Sequence, residues 1–261
     1  MVGAGAVGGY VAARLAESGL DVTVLARPGS ADRLRSAGLD LSDGTSSRNV
    51  KLAVATASEL TAPFDVVILA VKADALAAAL DDAAPAVGDT TVVIPFLNGI
   101  GHIAPLVARF GRAAAGGVLR VATDRRADGT IVVLAPVFEA EIGELDGSAS
   151  ERMQAVAGLL RDAGATVTVS ADIVGRMWAK WVFIASIGAL TSLMRGSVGD
   201  IAAFPAGRGL AAGRPAEVEP VLGDFVARGH QLGLSLPLTG LATLALRVHN
   251  GRLRTQAADR A

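Results

Sequence analysis

The chain contains no cysteine, which excludes disulfides, thiolate metal sites and cysteine nucleophiles. Histidine is nearly as scarce, with three residues in the whole chain, and no metal site is expected. An excess of charge of either sign is also missing. The 24 basic and 25 acidic residues leave a net charge of -1, with a pI of about 6.3, and create no field suited to a polyanion. Nucleic acid is therefore not expected as a partner, whereas a small molecule is. Long apolar runs are absent as well. The best candidate, residues 181–194, is charge-free for 14 positions between Lys180 and Arg195, short of the ~20 needed to span a bilayer. A buried helix is expected there, with no membrane association. The opening residues lack the basic and then apolar pattern of an export signal, so the cytoplasm is the expected location.

What the chain does have is apolar bulk and glycine. Of 261 residues, 51% are hydrophobic and only 19% charged, and the mean hydropathy is +0.47, as in a compact globule of one large or two modest domains. Strand-like and helix-like segments alternate. Residues 20–26 (LDVTVLA) read as a buried strand ending at Arg27-Pro28-Gly29, where a turn is expected. Residues 66–71 (VVILAV) and 91–97 read as further strands, with an alanine- and leucine-rich helix at 73–84 between them. This alternation predicts an α/β fold with a doubly wound parallel sheet of Rossmann type. Short extended runs between 118 and 142 continue or edge that sheet. A helix at 151–162 and a last strand at 165–169 follow, and from 171 onward the pattern is helical. Two domains are expected, a nucleotide-binding one over 1–170 and a helical one over 171–261.

The first motif with chemistry is Gly3-Ala4-Gly5-Ala6-Val7-Gly8, followed by a helical repeat of Val7, Val11 and Leu15 as far as Gly19. Gly3 allows a tight turn, Gly5 lets the backbone approach a pyrophosphate, and Gly8 permits close helix packing. The helix N-terminus stabilises the anion. A dinucleotide site is expected, with a purely structural glycine turn as the alternative. At the end of the second strand an NAD site wants a carboxylate for the ribose 2'-hydroxyl, but no acid lies between Asp21 and Asp32 and Arg27 stands there instead. A guanidinium suits a 2'-phosphate, so NADP(H) is expected over NAD, unless Arg27 is an ordinary solvated loop residue. Lys72 and Asn98 end two further strands, where open α/β sheets place their ligand crevice; either residue also suits a simple turn.

Five pieces in register now point to a family: the glycine run through Gly9, Ala70-Val71-Lys72, Asn98-Gly99-Ile100-Gly101, Ile142-Gly143-Glu144 through Asp146-Gly147, and Trp178-Ala179-Lys180. In order and spacing they resemble the ketopantoate reductases, the 2-dehydropantoate 2-reductases, from the first residue to about Ile201. The resemblance implies an N-terminal Rossmann domain and a C-terminal all-helical domain like that of 6-phosphogluconate dehydrogenase. It further implies NADPH-dependent reduction of ketopantoate to pantoate in pantothenate biosynthesis. By that similarity Lys180 is the proton donor, Asn98 touches both cofactor and substrate, and Lys72 lies near the cofactor. The residues themselves agree with such a role. Hydride arriving at a ketone leaves an alkoxide that needs a proton, and an ammonium within MWAKWVFIA has its pKa lowered by apolar surroundings. The bland alternative is a lysine whose stem packs beside Trp178 and Trp181 while its head reaches water.

The departures from the family pattern concern the substrate. The family commonly carries asparagines four and eight residues after the catalytic lysine, where this chain has Ile184 and Gly188. Thr191 returns to the same face ~16 Å along the helix, too far to replace either on one small substrate. A later serine and glutamate of the family are not recovered either; residues 241–256 offer only Thr243, Thr255 and Gln256. The chain thus resembles a divergent subgroup that reduces ketopantoate or a different, less polar 2-oxo acid. A non-catalytic NADP(H)-binding sensor is the alternative from another class. Both ends look short, with only Met1 and Val2 before Gly3, and a misplaced start or truncated reading frame is expected. Apolar segments at 210–212, 218–226 and 241–246 lead to an expected homodimer through the helical domain.

Overall fold

The structure is a computed structural model that describes residues 1–203 and the isolated positions 227, 230, 231, 233, 243, 244 and 247. The chain divides into two compact units, Met1–Trp181 and Val182–Ala261. The first unit opens with helix α1 (Ala6–Glu17), strand β1 (Thr23–Leu25) and helix α2 (Pro28–Ala37). Here the turn expected at Arg27-Pro28-Gly29 is instead a helix start. Arg27 has extended backbone at the N-cap, and Pro28, whose ring fixes a helical φ, takes the first helical position. A small antiparallel pair follows, β2 (Leu39–Ser42) and β3 (Ser47–Val50), and then β4 (Ala53–Ala55) returns parallel to β1.

Strand β5 (Val66–Leu69), helix α3 (Leu76–Ala83), strand β6 (Val92–Pro95) and helix α4 (Ile103–Phe110) complete the parallel half. β5 pairs with β6, and Val2 bridges Leu25 on one side and Leu69 on the other, both in parallel sense. The sheet order is therefore β4-β1-Val2-β5-β6, with the chain's second residue in the central position. Main-chain bonds hold it there: the Val2 amide donates to the Ile68 carbonyl at 2.8 Å, and the Ala70 amide donates to Val2 at 2.9 Å. The Met1 ammonium donates to the Thr23 carbonyl at 2.8 Å, and burial lowers its pKa to about 6.

The runs between 118 and 142 form more than a sheet edge. They are two long strands, β7 (Gly116–Arg125) and β8 (Ile131–Gly143), joined as a hairpin whose turn carries Asp128-Gly129. β8 also pairs in parallel with β2 near its start and with β9 (Thr166–Val169) near its end. Helix α5 (Glu151–Asp162) joins β8 to β9 and begins where the sequence pattern places it, because the Ser150 hydroxyl accepts from the Met153 amide at 3.3 Å. α1 is buried between the two sheets, its Val11 and Leu15 sharing one core with Val24, Ile94, Ile131 and Ile142. On the far side of the parallel sheet, Leu76, Leu80 and Leu106 of α3 and α4 cover Leu25, Leu69 and Val93. Each large apolar side chain buried in these layers stabilises the fold by about 1.5–3 kcal/mol, which fixes the strand ends that carry the site.

Helices α6 (Ile173–Met194) and α7 (Val198–Ala203) follow. α6 forms over the apolar run as expected, but its aromatic residues are not buried: Trp178, Trp181 and Phe183 remain 46%, 38% and 51% exposed. The reason is the helix period. Ile173, Met177 and Lys180 recur at i, i+4 and i+7 and share the inward face, which turns Trp178 and Trp181 away from it. No helix among the described residues is long and apolar enough to cross a membrane. The segments at 210–212 and 218–226, with Thr255 and Gln256, lie outside the described residues, as does most of 241–246; Thr243 is described and buried.

Candidate active site

The glycine loop is built from contacts that only glycine permits. Gly3 has φ +93°, and a Cβ there would lie 2.7 Å from the Ala70 carbonyl oxygen. At Gly8 a Cβ would lie 2.0 Å from the Gly3 carbonyl oxygen and 2.9 Å from Ala70 Cβ, so α1 docks directly on the end of β5. Gly5 differs, because a Cβ there would meet nothing within 4 Å. The space over Gly5 is open at the point where α1 presents its unpaired first-turn amides, without a side-chain cap and without an acidic residue in that turn. A backbone cradle of this kind fits the diphosphate of a dinucleotide.

Arg27, Lys72 and Asn98 follow the carboxyl ends of β1, β5 and β6, three parallel strands of the sheet that Val2 centres. All three side chains are exposed. Lys72 caps a short 3-10 turn, Ala73–Ala75, and Asn98-Gly99 opens the turn leading to α4. The structure thus puts the sequence-chosen residues along one sheet edge together with the glycine loop.

Lys180 is brought to the same part of the first unit by α6. The Ile173 side chain sits where β7 and β8 have no side chains of their own: Cβ atoms at Gly116 and Gly143 would lie 2.7 Å and 3.1 Å from Ile173 atoms. This socket explains the Ile142-Gly143-Glu144 motif. Gly143 admits the helix, while Glu144, one residue on, is clamped by Ser150 and by both Nε and Nη2 of Arg152. Met177 and Ile173 then pack with Val118, against which Ile100 and Ile103 also rest. Two turns beyond Ile173, Lys180 Nζ donates to the Leu119 carbonyl at 2.8 Å. Burial lowers the lysine's pKa, and the Arg120 guanidinium lowers it further. Lys180 is therefore directed into the protein and not toward water beside the tryptophans.

Two features escaped the sequence reading. His102, the N-cap residue of α4, is only 4% exposed, and its Nε2 has no hydrogen-bond partner among the described residues. Burial, with the nearby Lys180 charge, lowers its pKa to about 4. Its one sequence signal is its position four residues after Asn98. Arg125, at the end of β7, donates through Nη1 to the Ala4 carbonyl of the glycine loop at 3.4 Å, although 121 residues separate the two. No local pattern reports such a contact. Among the described residues, no group of three or more His, Asp or Glu side chains is placed to hold a metal ion. Ile184 is half-buried and Gly188 exposed; both belong to the second unit.

The family described as "Ketopantoate reductase PanE/ApbA" matches residues 1–147. An uncharacterised oxidoreductase of Bacillus subtilis is 35% identical over 209 residues, covering 80% of this chain and 69% of its own. A 2-dehydropantoate 2-reductase of Mesorhizobium japonicum is 32% identical over 259 residues, covering 90% of this chain and 77% of its own. Among solved structures, 2-dehydropantoate 2-reductase from Geobacter metallireducens superposes with a TM-score of 0.74 at 22% identity, over 94% of this chain and 97% of that one. D-mandelate dehydrogenase with NADH and anilino(oxo)acetate gives 0.72 at 17% identity, over 97% and 99%. At such identities these two structures establish a common fold.

Proposed function

The chain belongs to the ketopantoate reductase family of oxidoreductases, and on that premise we propose that it reduces a 2-oxo acid to the 2-hydroxy acid with NADPH, ketopantoate to pantoate first among candidates. The observation that carries this reading is Lys180: an ammonium held at 2.8 Å from the Leu119 carbonyl, with its pKa lowered by burial. The residues at the strand ends fit a dinucleotide. Gly3, Ala4, Gly5, Ala6, Val7 and Gly8 would cradle its diphosphate, Arg27 its 2'-phosphate, and Lys72 and Asn98 would lie along it, Asn98 reaching the substrate as well. When bound, the reduced nicotinamide supplies a hydride to the substrate's carbonyl carbon.

The chain's own work is proton delivery. As the carbonyl oxygen gains negative charge, a Lys180 N–H bond breaks and an O–H bond forms, leaving a neutral amine that regains its proton from water. One ammonium proton is occupied by Leu119, which fixes the nitrogen and leaves two donors for the substrate oxygen. A lysine with lowered pKa gives up its proton more readily than a solvated one, and general acids of this kind contribute about 10²–10⁴ in rate.

The nucleotide-binding part is assigned to 1–170 and the substrate and dimerisation part to 171–261, in a cytoplasmic homodimer. Ile184 and Gly188, where the family commonly has asparagines, support two further readings: a less polar 2-oxo acid as substrate, or an NADP(H) sensor without turnover. Steady-state NADPH oxidation with a panel of 2-oxo acids decides among them. Turnover with ketopantoate supports the proposal. Turnover only with an apolar 2-oxo acid changes the substrate, and tight NADPH binding without turnover of any acid contradicts the enzyme.

A further inference from the structure

Two guanidinium groups meet beside the glycine loop with no carboxylate between them. A Cβ built on Gly129 would lie 3.3 Å from Arg33 Nη1 and 3.6 Å from Arg125 Nη2, so both groups crowd the same point at the tip of the β7–β8 hairpin. Arg125 is half-buried, donates through Nε to the Gly129 carbonyl at 3.3 Å and through Nη1 to the Ala4 carbonyl at 3.4 Å. Neither arginine is in an ion pair among the described residues. The acids of the hairpin are engaged elsewhere: Asp124 accepts from the Arg125 amide and Asp128 from the Thr130 amide. Burial and the Arg33 charge lower the Arg125 pKa, the mark of a cation pair left uncompensated.

Such a pair is costly in the free protein and is relieved by a dianion. Its position says which one. Beyond the register shifts between Val121 and Thr123, whose unpaired residues lie on β8, Arg125 ends β7 opposite Ile131. From there it reaches Ala4, between the first two glycines of the loop. Arg33 comes from α2, which begins directly after β1, at the strand end where a Rossmann site reads the ribose 2' position.

We propose that Arg125 and Arg33 form the seat of the adenosine 2'-phosphate of NADPH, Arg125 tying that phosphate to the glycine loop across the gap between the two sheets. This rests on the NADPH reading above and extends it from Arg27 to a residue contributed by the second sheet. A phosphate oxygen between two forked guanidinium groups gains charge-assisted hydrogen bonds that a 2'-hydroxyl does not match, so the pair selects NADPH against NADH.

The test is calorimetric titration of the full chain with NADPH and with NADH, for the unaltered protein, Arg125→Gln and Arg33→Gln. Arg33 is exposed on a helix surface, so its variant keeps the fold even if the half-buried Arg125 variant does not. Both variants are expected to weaken NADPH binding about 10-fold or more and to leave the NADH dissociation constant within about twofold. Unchanged NADPH affinity in Arg33→Gln and in a folded Arg125→Gln overturns the inference while sparing the NADPH reading. Equal weakening toward both cofactors also overturns it, because the pair then serves the diphosphate. Absence of NADPH binding by the unaltered protein overturns both together.

Discussion

Lys180 and His102 are two bases in one buried corner, and the lysine's charge adds to burial in opposing protonation of the imidazole. Lys180 has the Leu119 carbonyl as a partner, whereas the Nε2 of His102 has none among the described residues, so the imidazole is the one that stays neutral. Its pKa of about 4 lies below the ordinary 6.5. Between those values the unfolded chain binds a proton that the folded chain refuses, so stability falls as pH drops from 6.5 to 4 and is unaffected by this group above 6.5. The loss amounts to about 3 kcal/mol at most. Urea midpoints at pH 7 and pH 4.5 are expected to differ less in His102→Leu than in the unaltered protein; an equal difference would remove His102 from the account. At the proposed cofactor edge, Arg27→Asp would place a carboxylate before the 2'-phosphate of NADPH. NADPH binding is expected to weaken about 10-fold or more, with a narrowed preference over NADH. Titration with both cofactors checks it, and unchanged constants would exclude Arg27 from the site.

At the scale of elements, the placement of Lys180 depends on two missing side chains. Gly116 and Gly143 leave the socket for Ile173, and Ile173 sets the rotation of α6 that directs Lys180 at β7. A Cβ at Gly143 would lie 2.2 Å from the Ser170 carbonyl oxygen, which is backbone and cannot yield cheaply. Gly143→Ala is therefore expected to cost about 1–3 kcal/mol and to lower turnover along with the melting temperature. Gly158, whose Cβ would meet nothing within 4 Å on α5, serves as the control, where alanine stabilises by about 0.5–1 kcal/mol. Thermal melts of both variants check the pair, and a Gly143→Ala protein as stable as the parent would refute the socket. Further along α6, Gly188 also has open space for a Cβ. Asparagine at both 184 and 188 is expected to raise kcat/KM for ketopantoate, since polar partners discriminate best for a polar substrate. No gain would mean that the pocket differs more deeply.

For the molecule as a whole, the parallel half was legible because its strands are continuous β-branched runs and its loop is a glycine pattern with a mechanism. VVIL and VVIP could hardly be anything but buried strands once a helix lay between them. The small strands β2 to β4 were not legible, being only three or four residues long, with polar residues interrupting β2 and β3. The helix at Pro28 was missed because proline and glycine signal a turn, and proline signals a helix start just as well. Lys180 was found through its neighbours in sequence, whereas Arg125 and His102 depend on contacts between distant segments, which no local pattern encodes. The proposed homodimer rests on the apolar segments of the sequence alone. Light scattering at micromolar concentration is expected to give twice the 26.3 kDa chain mass, and a value near 26.3 kDa would rule out a stable dimer in that range.

The central claim is that Lys180 donates the proton, and the pH dependence of kcat/KM for 2-oxo acid reduction by NADPH tests it most directly. Reduction requires the ammonium form, so the rate of the unaltered enzyme should fall on the alkaline side, at a pH below the 10.5 of an ordinary lysine. In Lys180→Ala the rate should drop about 10²-fold or more and the alkaline limb should disappear. A Lys180→Ala enzyme that keeps both its rate and its alkaline limb would contradict the account.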